Sequence, residues 1–237
     1  MLGKRRIRLL TVCSVLAALT VLLAACAPRL PLPAPAEMAQ TPADFPEAYY
    51  RQAEASGRRV LRVAPERSLV VIEVHRAGAF ARLGHEHVVA SHEVKGYVDL
   101  AEGRSDLYVA LERLVVDEPG LRAEAGFDTQ VSPEAVDGTR RNMLDKVLDS
   151  ARFPFVLIHA TRADAKQQSL SLSITLHGRT RSFEIPVRIE EIPGGIAVSG
   201  RMAFNQTDFG VTPLSVLGGA LQVQDRLDLR FRIVATG

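Results

Sequence analysis

The sequence predicts an all-β protein, an antiparallel barrel or sandwich of about eight strands with one amphipathic helix. The clearest observation is in residues 170–189, where apolar and polar side chains alternate in two runs on either side of Gly178. A period of two places one face of a strand on a core and the other in water, so these runs predict a hairpin. Similar short runs separated by turns recur from residue 60 to residue 233, and only one segment has a strong helical period. Strands therefore build the fold.

The remaining elements follow from the same pattern in chain order. Residues 45–55 predict a short helix, with Pro46 near its start and Gly57 beyond its end. Residues 78–89 predict a loop or a short helical crossover, and residues 114–126 predict a strand end followed by a long loop. Further strands are expected at residues 60–63, 68–75, 94–100, 107–116, 155–161, 196–205 and 221–233.

The amphipathic helix is predicted after residue 132. Ser132 is a suitable N-cap, and Pro133 suits the first helical position. A single apolar stripe follows at helical spacing and predicts that this helix lies across the sheet or closes one end of it; the stripe consists of Met143, Leu144, Val147 and Leu148.

Three residues are expected at special positions in the sheet or its turns. Pro186 cannot donate to a strand ladder, which predicts an edge, a bulge or a non-bonded position. Asp225 occupies an inward position in the last strand, which predicts a rim, a bulge or a paired carboxylate. Asp208 is expected to hold a turn by accepting backbone N–H groups.

Composition excludes one class of partner. The chain has 237 residues and a net charge of +2, with 5% aromatic residues and no Trp. It has neither the positive field nor the aromatic platform with which proteins bind nucleic acid, so no nucleic-acid partner is expected.

The N-terminus has the pattern of a targeting segment. A basic start precedes an apolar run from Leu9 to Leu22, and residues 23–26 read LAAC. This pattern resembles a bacterial lipoprotein signal, which implies lipidation at Cys26. We therefore expect residues 1–25 to be the signal peptide, residues 26–43 a Pro-rich tether and residues 44–237 the barrel domain. The expected location is the periplasmic face of the bacterial cell envelope, at the outer membrane, with a membrane partner through the Cys26 anchor.

Several motifs together resemble the YceI-like family. They are LSLSITLHGRTRSFEIPV, the helix and strand MLDKVLDSARFPFVLI, and the C-terminal FNQTDFGVTPLSVLGGALQVQDRLDLRF. GHEH at residues 84–87, followed by LVVDEPGLRAEAG, resembles one subgroup of that family. The resemblance covers about residues 60–235, and the motifs occur in the same order as in the family.

The resemblance implies a lipocalin-like barrel, exported to the periplasm, that holds a polyisoprenoid or an isoprenoid quinone. On this interpretation the protein is not an enzyme, requires no cofactor and acts as a carrier, store or sensor of an apolar lipid-like ligand. The inward apolar residues are the expected ligand wall: Phe80, Leu83, Val109, Leu111, Ile158, Leu172, Ile174, Phe183, Ile185, Phe204 and Phe231.

His85, Glu86 and His87 are the densest polar cluster. In an extended chain the two imidazoles point to one side, and imidazole with carboxylate can bind a divalent metal. The alternatives are a polar gate on a ligand head group and a loop held by backbone hydrogen bonds. His75, His159 and His177 are interpreted as ordinary strand or turn residues.

Two rival functions stay open at this point. One is a metal-dependent enzyme or metal carrier that uses the loop of His85 and His87. The other is a structural envelope barrel filled by its own side chains, as small barrels often are. The chain contains no GxSxG element and no Gly-rich phosphate loop.

Overall fold

The computed structural model describes residues 41–162 and 168–237. Residues 41–237 form one compact unit. The predicted signal peptide, most of the predicted tether and Cys26 lie outside the described residues.

Twelve strand segments form a single antiparallel sheet in the described part of the chain. They are β1 (Val60–Val63), β2 (Leu69–Ala77), β3 (His87–Ser91), β4 (Val94–Asp99), β5 (Arg104–Ala110), β6 (Val115–Val116), β7 (Phe155–Thr161), β8 (Ser169–Leu176), β9 (Arg179–Ile192), β10 (Gly195–Asn205), β11 (Ser215–Val216) and β12 (Leu221–Thr236).

The sheet closes on itself, which decides for a barrel over a sandwich. Neighbours around the ring are β1, β4, β5, β7, β8, β9, β10 and β12, and β12 pairs with β1 through Arg62 opposite Thr236. Three strands of the ring are each interrupted into two segments, which are β1 and β2, β3 and β4, and β5 and β6. Segments β2, β3 and β6 continue the ring beside β12 towards one end of the barrel. The result is an up-and-down barrel of eight strand paths, in agreement with the predicted fold class.

The up-and-down order gives the barrel two different ends. One end carries the short turns at residues 100–103 and 193–194, and we call it the open end. The far end carries the loop at residues 78–86, the long connection 117–154, the turn at residues 177–178 and the connection 206–220. Most of the chain that connects the strands in the described residues therefore lies at the far end.

Three α-helices accompany the barrel in the described residues: α1 (Glu47–Ala55), α2 (Pro119–Glu124) and α3 (Pro133–Arg141), which continues as a π-helix over Asn142–Val147. The first and third were predicted; α2 corrects the expectation of an extended loop. Pro119 lies in the first turn of α2, where backbone N–H groups have no partner within the helix, so the N–H group that proline lacks is not needed. Short 3₁₀ turns occupy Pro65–Arg67, Ala81–Leu83, Leu111–Arg113, Gln206–Phe209 and Leu217–Gly219.

Helix α3 and its π-helical extension close the far end. The Ser132 hydroxyl caps α3 by accepting from the Ala135 amide at 3.3 Å, as predicted. Leu144 is buried in a core with apolar residues of the barrel, and Met143 and Leu148 pack against that core. The cluster comprises Val63, Val89, Val94, Val109, Leu111, Leu114, Val116, Leu144 and Ile233. The helix is thus a plug.

The special positions in the sheet follow the predictions. His177 and Gly178 both have left-handed backbone angles, φ 51° and 71°, as a tight hairpin turn between β8 and β9 requires. Asp225 lies in a bulge of β12, where its carboxylate accepts from the Thr207 amide at 2.9 Å and from the Thr207 hydroxyl at 2.6 Å. Asp208 accepts from the Asn205 amide at 3.2 Å. Pro186 lies next to the point where β9 stops pairing with β10.

Candidate functional site

The interior of the barrel holds a cavity of about 710 Å³ at the open end. Its wall is formed by the inward faces of β2, β4, β5, β7, β8, β9, β10 and β12, because alternate residues of each strand point to the barrel axis. The apolar residues that line it are Val70, Val98, Leu100, Ala101, Leu107, Ile158, Ala160, Leu170, Leu172, Ile174, Ile189, Ile192, Ile196, Val198, Met202, Leu229, Phe231 and Ile233.

The mouth of this cavity is ringed by charge. The charged residues at the mouth are Arg59, Glu102, Arg162 and Glu191; Asp99 and Arg104 border it with their backbone, whereas their side chains turn outward to Arg58 and Asp106. Asp99 is fully buried and accepts from Arg58 at 2.7 Å and from the Tyr49 hydroxyl at 3.1 Å. The carboxylate of Asp99 also accepts from the backbone N–H of Ala101 at 3.1 Å, which shapes the turn after β4. A polar rim above an apolar well suits a molecule with a polar head and a long apolar tail.

The shape of the wall depends partly on Gly200. A Cβ atom at this position would lie 2.9 Å from the Phe231 ring and 3.2 Å from the Pro186 carbonyl oxygen. Gly200 pairs with Phe231 across β10 and β12, and both face inward. The absent side chain therefore leaves room for the aromatic ring that lines the cavity.

The structure separates the predicted wall residues into three groups. Ile158, Leu172, Ile174 and Phe231 line the cavity. Val109 and Leu111 belong to the far-end core, Ile185 and Phe183 belong to the cluster around Leu172, and Phe204 packs edge-on against Phe209. These five residues face the interior but do not line the cavity.

The expected inward placement of Phe80 and Leu83 is wrong. Both side chains are exposed, at 46% and 67%, in the loop that follows β2. β2 ends at Ala77 and a 3₁₀ turn follows it over Ala81–Leu83, so strand alternation does not apply to these two residues.

Several wall residues were not singled out from the sequence. Leu170, Leu229 and Ile233 lie on the predicted inward faces. Alternation does not indicate how far along the barrel axis a residue lies, so it cannot distinguish cavity wall from packed core. The charged residues of the mouth gave no signal, because a charge beside a turn is common on any surface.

The cluster of His85, Glu86 and His87 is divided among different partners. Glu86 accepts from the Arg76 side chain at 2.8 Å, and His87 Nδ1 lies 2.6 Å from Asp117 Oδ2. His85 is exposed, and its ring centroid lies 6.5 Å from that of His87. Within residues 41–162 and 168–237, no group of three or more His, Cys, Asp or Glu side chains has the spacing of a metal site.

Asp117 is the centre of a buried network at the far end. Its carboxylate accepts from Arg122 at 2.7 Å and from the Val88 amide at 3.0 Å, besides the contact with His87. Burial by itself raises the pKa of Asp117, but the hydrogen bonds from His87, Val88 and Arg122 outweigh it and hold the pKa below the ordinary value. Arg122 also donates to the Glu86 and Thr129 carbonyl oxygens. The network fastens α2 to β3.

A second buried carboxylate, Asp106, fastens α1 to the outside of the barrel. It accepts from the Tyr50 hydroxyl at 2.6 Å and from Arg104 at 2.9 Å, and lies 2.8 Å from His159 Nδ1. Burial raises the pKa of Asp106, yet the hydrogen bonds from Tyr50, Arg104 and His159 leave it lowered overall. Burial, together with the neighbouring Asp106 carboxylate, raises the pKa of Tyr50. His159 thus has a structural partner rather than an open strand position.

The helices of the described ranges are each too short or too polar to traverse a bilayer.

The closed antiparallel sheet and its apolar cavity define a small lipocalin-like barrel. The profile of the YceI-like domain matches residues 65–235. The chain therefore belongs to the YceI-like family, and the family assignment made from the motifs is confirmed.

Several solved structures have a similar fold. A polyisoprenoid binding domain from Saccharophagus degradans, implicated in plant cell wall breakdown, aligns with a TM-score of 0.54 and 11% identity over 75% of this chain and 98% of that domain. BcnA of Burkholderia cenocepacia gives 0.49 and 14% over 73% and 99%, and a YceI protein of Campylobacter jejuni gives 0.41 and 12% over 61% and 80%. A comparison with curated proteins finds no match.

Proposed function

We propose that this chain is a lipid-anchored protein of the bacterial cell envelope that binds an isoprenoid-type ligand, a polyisoprenoid or a quinone, inside its barrel. In this role it is a carrier, store or sensor and performs no covalent catalysis. The observation that carries the proposal is the apolar cavity of about 710 Å³ with its charged mouth.

The size and chemistry of the cavity support a ligand of this class. Its volume is within the range of roughly 300 to 1,000 Å³ that small-molecule sites occupy. Each CH₂ group of a buried chain contributes about 0.8 kcal/mol. The wall is aliphatic except for the Phe231 ring, and the charged groups are confined to the mouth. A long hydrocarbon tail is favoured in such a well, with its polar head at the rim.

The family and a structural neighbour add further support. The Saccharophagus degradans domain, which shares this fold, is a polyisoprenoid binding domain. The rival hypothesis of a barrel filled by its own side chains requires a packed interior, whereas this barrel contains a cavity. The metal hypothesis has no third ligand beside His85 and His87 among the described residues.

The direct test is mass spectrometry of an organic extract from residues 41–237, secreted without the anchor into a bacterial periplasm and purified without detergent. We expect an isoprenoid or quinone at close to one molecule per protein. An extract that contains no such molecule would contradict the proposal.

A matched pair of variants assigns the ligand to the cavity. Val198→Trp places a large side chain on the cavity wall, whereas Val115→Trp adds the same bulk at a surface position. We expect the first variant to lose most of the extracted ligand and the second to retain it. Equal ligand content in the two variants would place the molecule outside the barrel.

The proposed anchor is tested separately. Cys26→Ser is expected to stop lipid labelling and the processing that depends on it. Continued lipid labelling of this variant would contradict the proposed anchor and leave the ligand proposal intact.

A further inference from the structure

Two connections at the far end lie side by side and form a surface that we call the apolar tip, residues 78–84 and 215–220. The Phe80 amide donates to the Ala220 carbonyl oxygen at 2.7 Å. A Cβ atom at Gly78 would lie 2.5 Å from the same oxygen, so the close approach of the two backbones requires glycine there. The tip is therefore a built contact between two segments far apart in sequence.

The apolar tip exposes four large apolar side chains. Phe80 is 46% exposed, Leu83 67%, Val216 44% and Leu217 70%. Scattered single residues of this kind are ordinary, but several gathered on adjoining loops mark an interaction surface. The barrel core gains nothing from these four side chains.

Leu217 shows the local cost of this arrangement. Its φ is 53°, a left-handed conformation that is unfavourable for a residue with a Cβ atom. The side chain held there is the most exposed large apolar side chain in the described part of the chain. A strained backbone that presents a leucine to solvent is consistent with a partner outside this chain.

The position of the tip indicates from which side a membrane approaches. The tip lies at the far end, and the cavity opens at the other end. The described chain begins at Thr41, whose hydroxyl lies 3.4 Å from that of Tyr108, in the half of β5 nearer the far end. About 15 residues separate Cys26 from Thr41, a span of up to roughly 50 Å when extended. A span of this length is sufficient to join the barrel to a membrane on the side of the apolar tip.

The charge of the tip suits a lipid surface. Arg82, which is exposed, stands between Phe80 and Leu83 and is the single charged residue in the sequence of the two tip segments. Apolar side chains with a flanking cation are the composition of segments that enter the interface of anionic bilayers.

We propose that the apolar tip inserts into the lipid bilayer that carries the anchor, so that the mouth of the barrel faces away from that bilayer. This inference rests on the proposed envelope function for the presence of the membrane. Its consequence is that ligand exchange takes place on the side away from the anchoring membrane, without withdrawal of the tip.

The test uses the mature lipidated protein in vesicles of phosphatidylethanolamine and phosphatidylglycerol. The chain has two cysteines, Cys13 in the predicted signal peptide and Cys26 in the predicted anchor. A single new cysteine can therefore be labelled with an environment-sensitive fluorophore. The variants are Leu217→Cys at the apolar tip and, as the matched control, Pro193→Cys at an exposed turn of the open end.

We expect lipid-borne quenchers to reduce the emission of the Leu217 label several-fold and to leave the Pro193 label nearly unchanged. Phe80→Ser in the Leu217→Cys background is expected to weaken the quenching, and Arg82→Glu is expected to weaken it most in vesicles rich in phosphatidylglycerol. Quenching of the Pro193 label alone, or of neither label, would overturn the proposal. A shift of the Leu217 emission with protein concentration and without vesicles would identify a second copy as the occupant and would also overturn it.

The same samples distinguish this inference from the proposed function. Organic extraction reports the ligand, and the intact mass reports lipid on Cys26. An unquenched tip on a protein that contains an isoprenoid overturns the inference alone. A quenched tip on a protein without the ligand supports the inference and contradicts the ligand proposal.

Discussion

The two ends of the barrel are built by the same strands and differ in almost every other respect. At the open end, short turns join the strands, charged residues surround the mouth and a cavity remains between the walls. At the far end, α3 and its π-helical extension cover the strands, and the interior is filled by buried aliphatic side chains. The buried Asp117 network and the apolar tip also lie there.

This difference shows that strand alternation decides which side chains point inward but not whether they enclose space. The inward residues of both ends are aliphatic, and β12 contributes to both. What differs is the connection: a turn of a few residues cannot cover the barrel, whereas the chain from residue 117 to residue 154 can. A cavity therefore remains where the connections are short.

The largest effect is expected for Asp117→Asn at the far end. Asparagine tolerates the left-handed φ of 59°, so the change mainly removes the charge that Arg122 faces in a buried site. Loss of one partner of a buried ion pair costs about 3 to 5 kcal/mol of unfolding free energy. Urea unfolding measures this loss of unfolding free energy.

As a control, Asp228→Asn breaks an exposed pair with Arg226 and is expected to change the unfolding free energy by less than about 0.5 kcal/mol. Similar losses in the two variants would contradict a special role of burial.

Truncation of one leucine at each end compares filled core with cavity wall. Leu144 in the plug and Leu172 in the wall are equally buried, each 7% exposed. Leu144→Ala is expected to cost about 2 to 5 kcal/mol, and Leu172→Ala about 1 to 2 kcal/mol in ligand-free protein, since one side of Leu172 already faces empty space. Equal losses in urea unfolding would show that the wall is packed as tightly as the plug.

Tyr50→Phe tests how firmly α1 is held on the barrel. The change removes the hydroxyl that donates to the buried Asp106 carboxylate, a bond worth about 1.5 kcal/mol because the acceptor is charged. Thermal and urea unfolding report the loss. Tyr97→Phe is the matched control, because the Tyr97 hydroxyl has no hydrogen-bond partner in the described part of the chain, and we expect it to be close to neutral. A neutral Tyr50→Phe would mean that Arg104 and His159 suffice to hold Asp106.

The smallest effect is expected in the acid dependence of stability. The pKa values of Asp106 and Asp117 are lowered in the folded state, so their stabilisation is fully present above the unfolded value of about 3.9 and is lost as pH falls through the folded values. Urea unfolding between neutral pH and the acid range should show stability falling with decreasing pH below that value. Asp117→Asn should make the fall shallower, because one of the two groups no longer binds a proton on unfolding. Parallel curves for the two proteins would contradict this assignment.

The sequence by itself determined the main strands, helices α1 and α3 and the hairpin turn at Gly178, because each depends on local spacing and local chemistry. Alternation gave the hairpin of β8 and β9 and the last strand, and Ser132 with Pro133 gave the start of α3. The motifs gave the family, which residues 65–235 match.

Strand alternation left a barrel and a sandwich open, the resemblance to the family favoured the barrel, and only the tertiary structure decided the depth of the cavity and the partners of the histidines. The pairing of β12 with β1 joins residues more than a hundred positions apart, and alternation carries no information on such pairs. For the same reason Val109 and Ile158, both on inward faces, could not be assigned to core and cavity in advance. His87 acquires Asp117 and Glu86 acquires Arg76 through contacts between separate elements, so a cluster that is dense in sequence is divided in space.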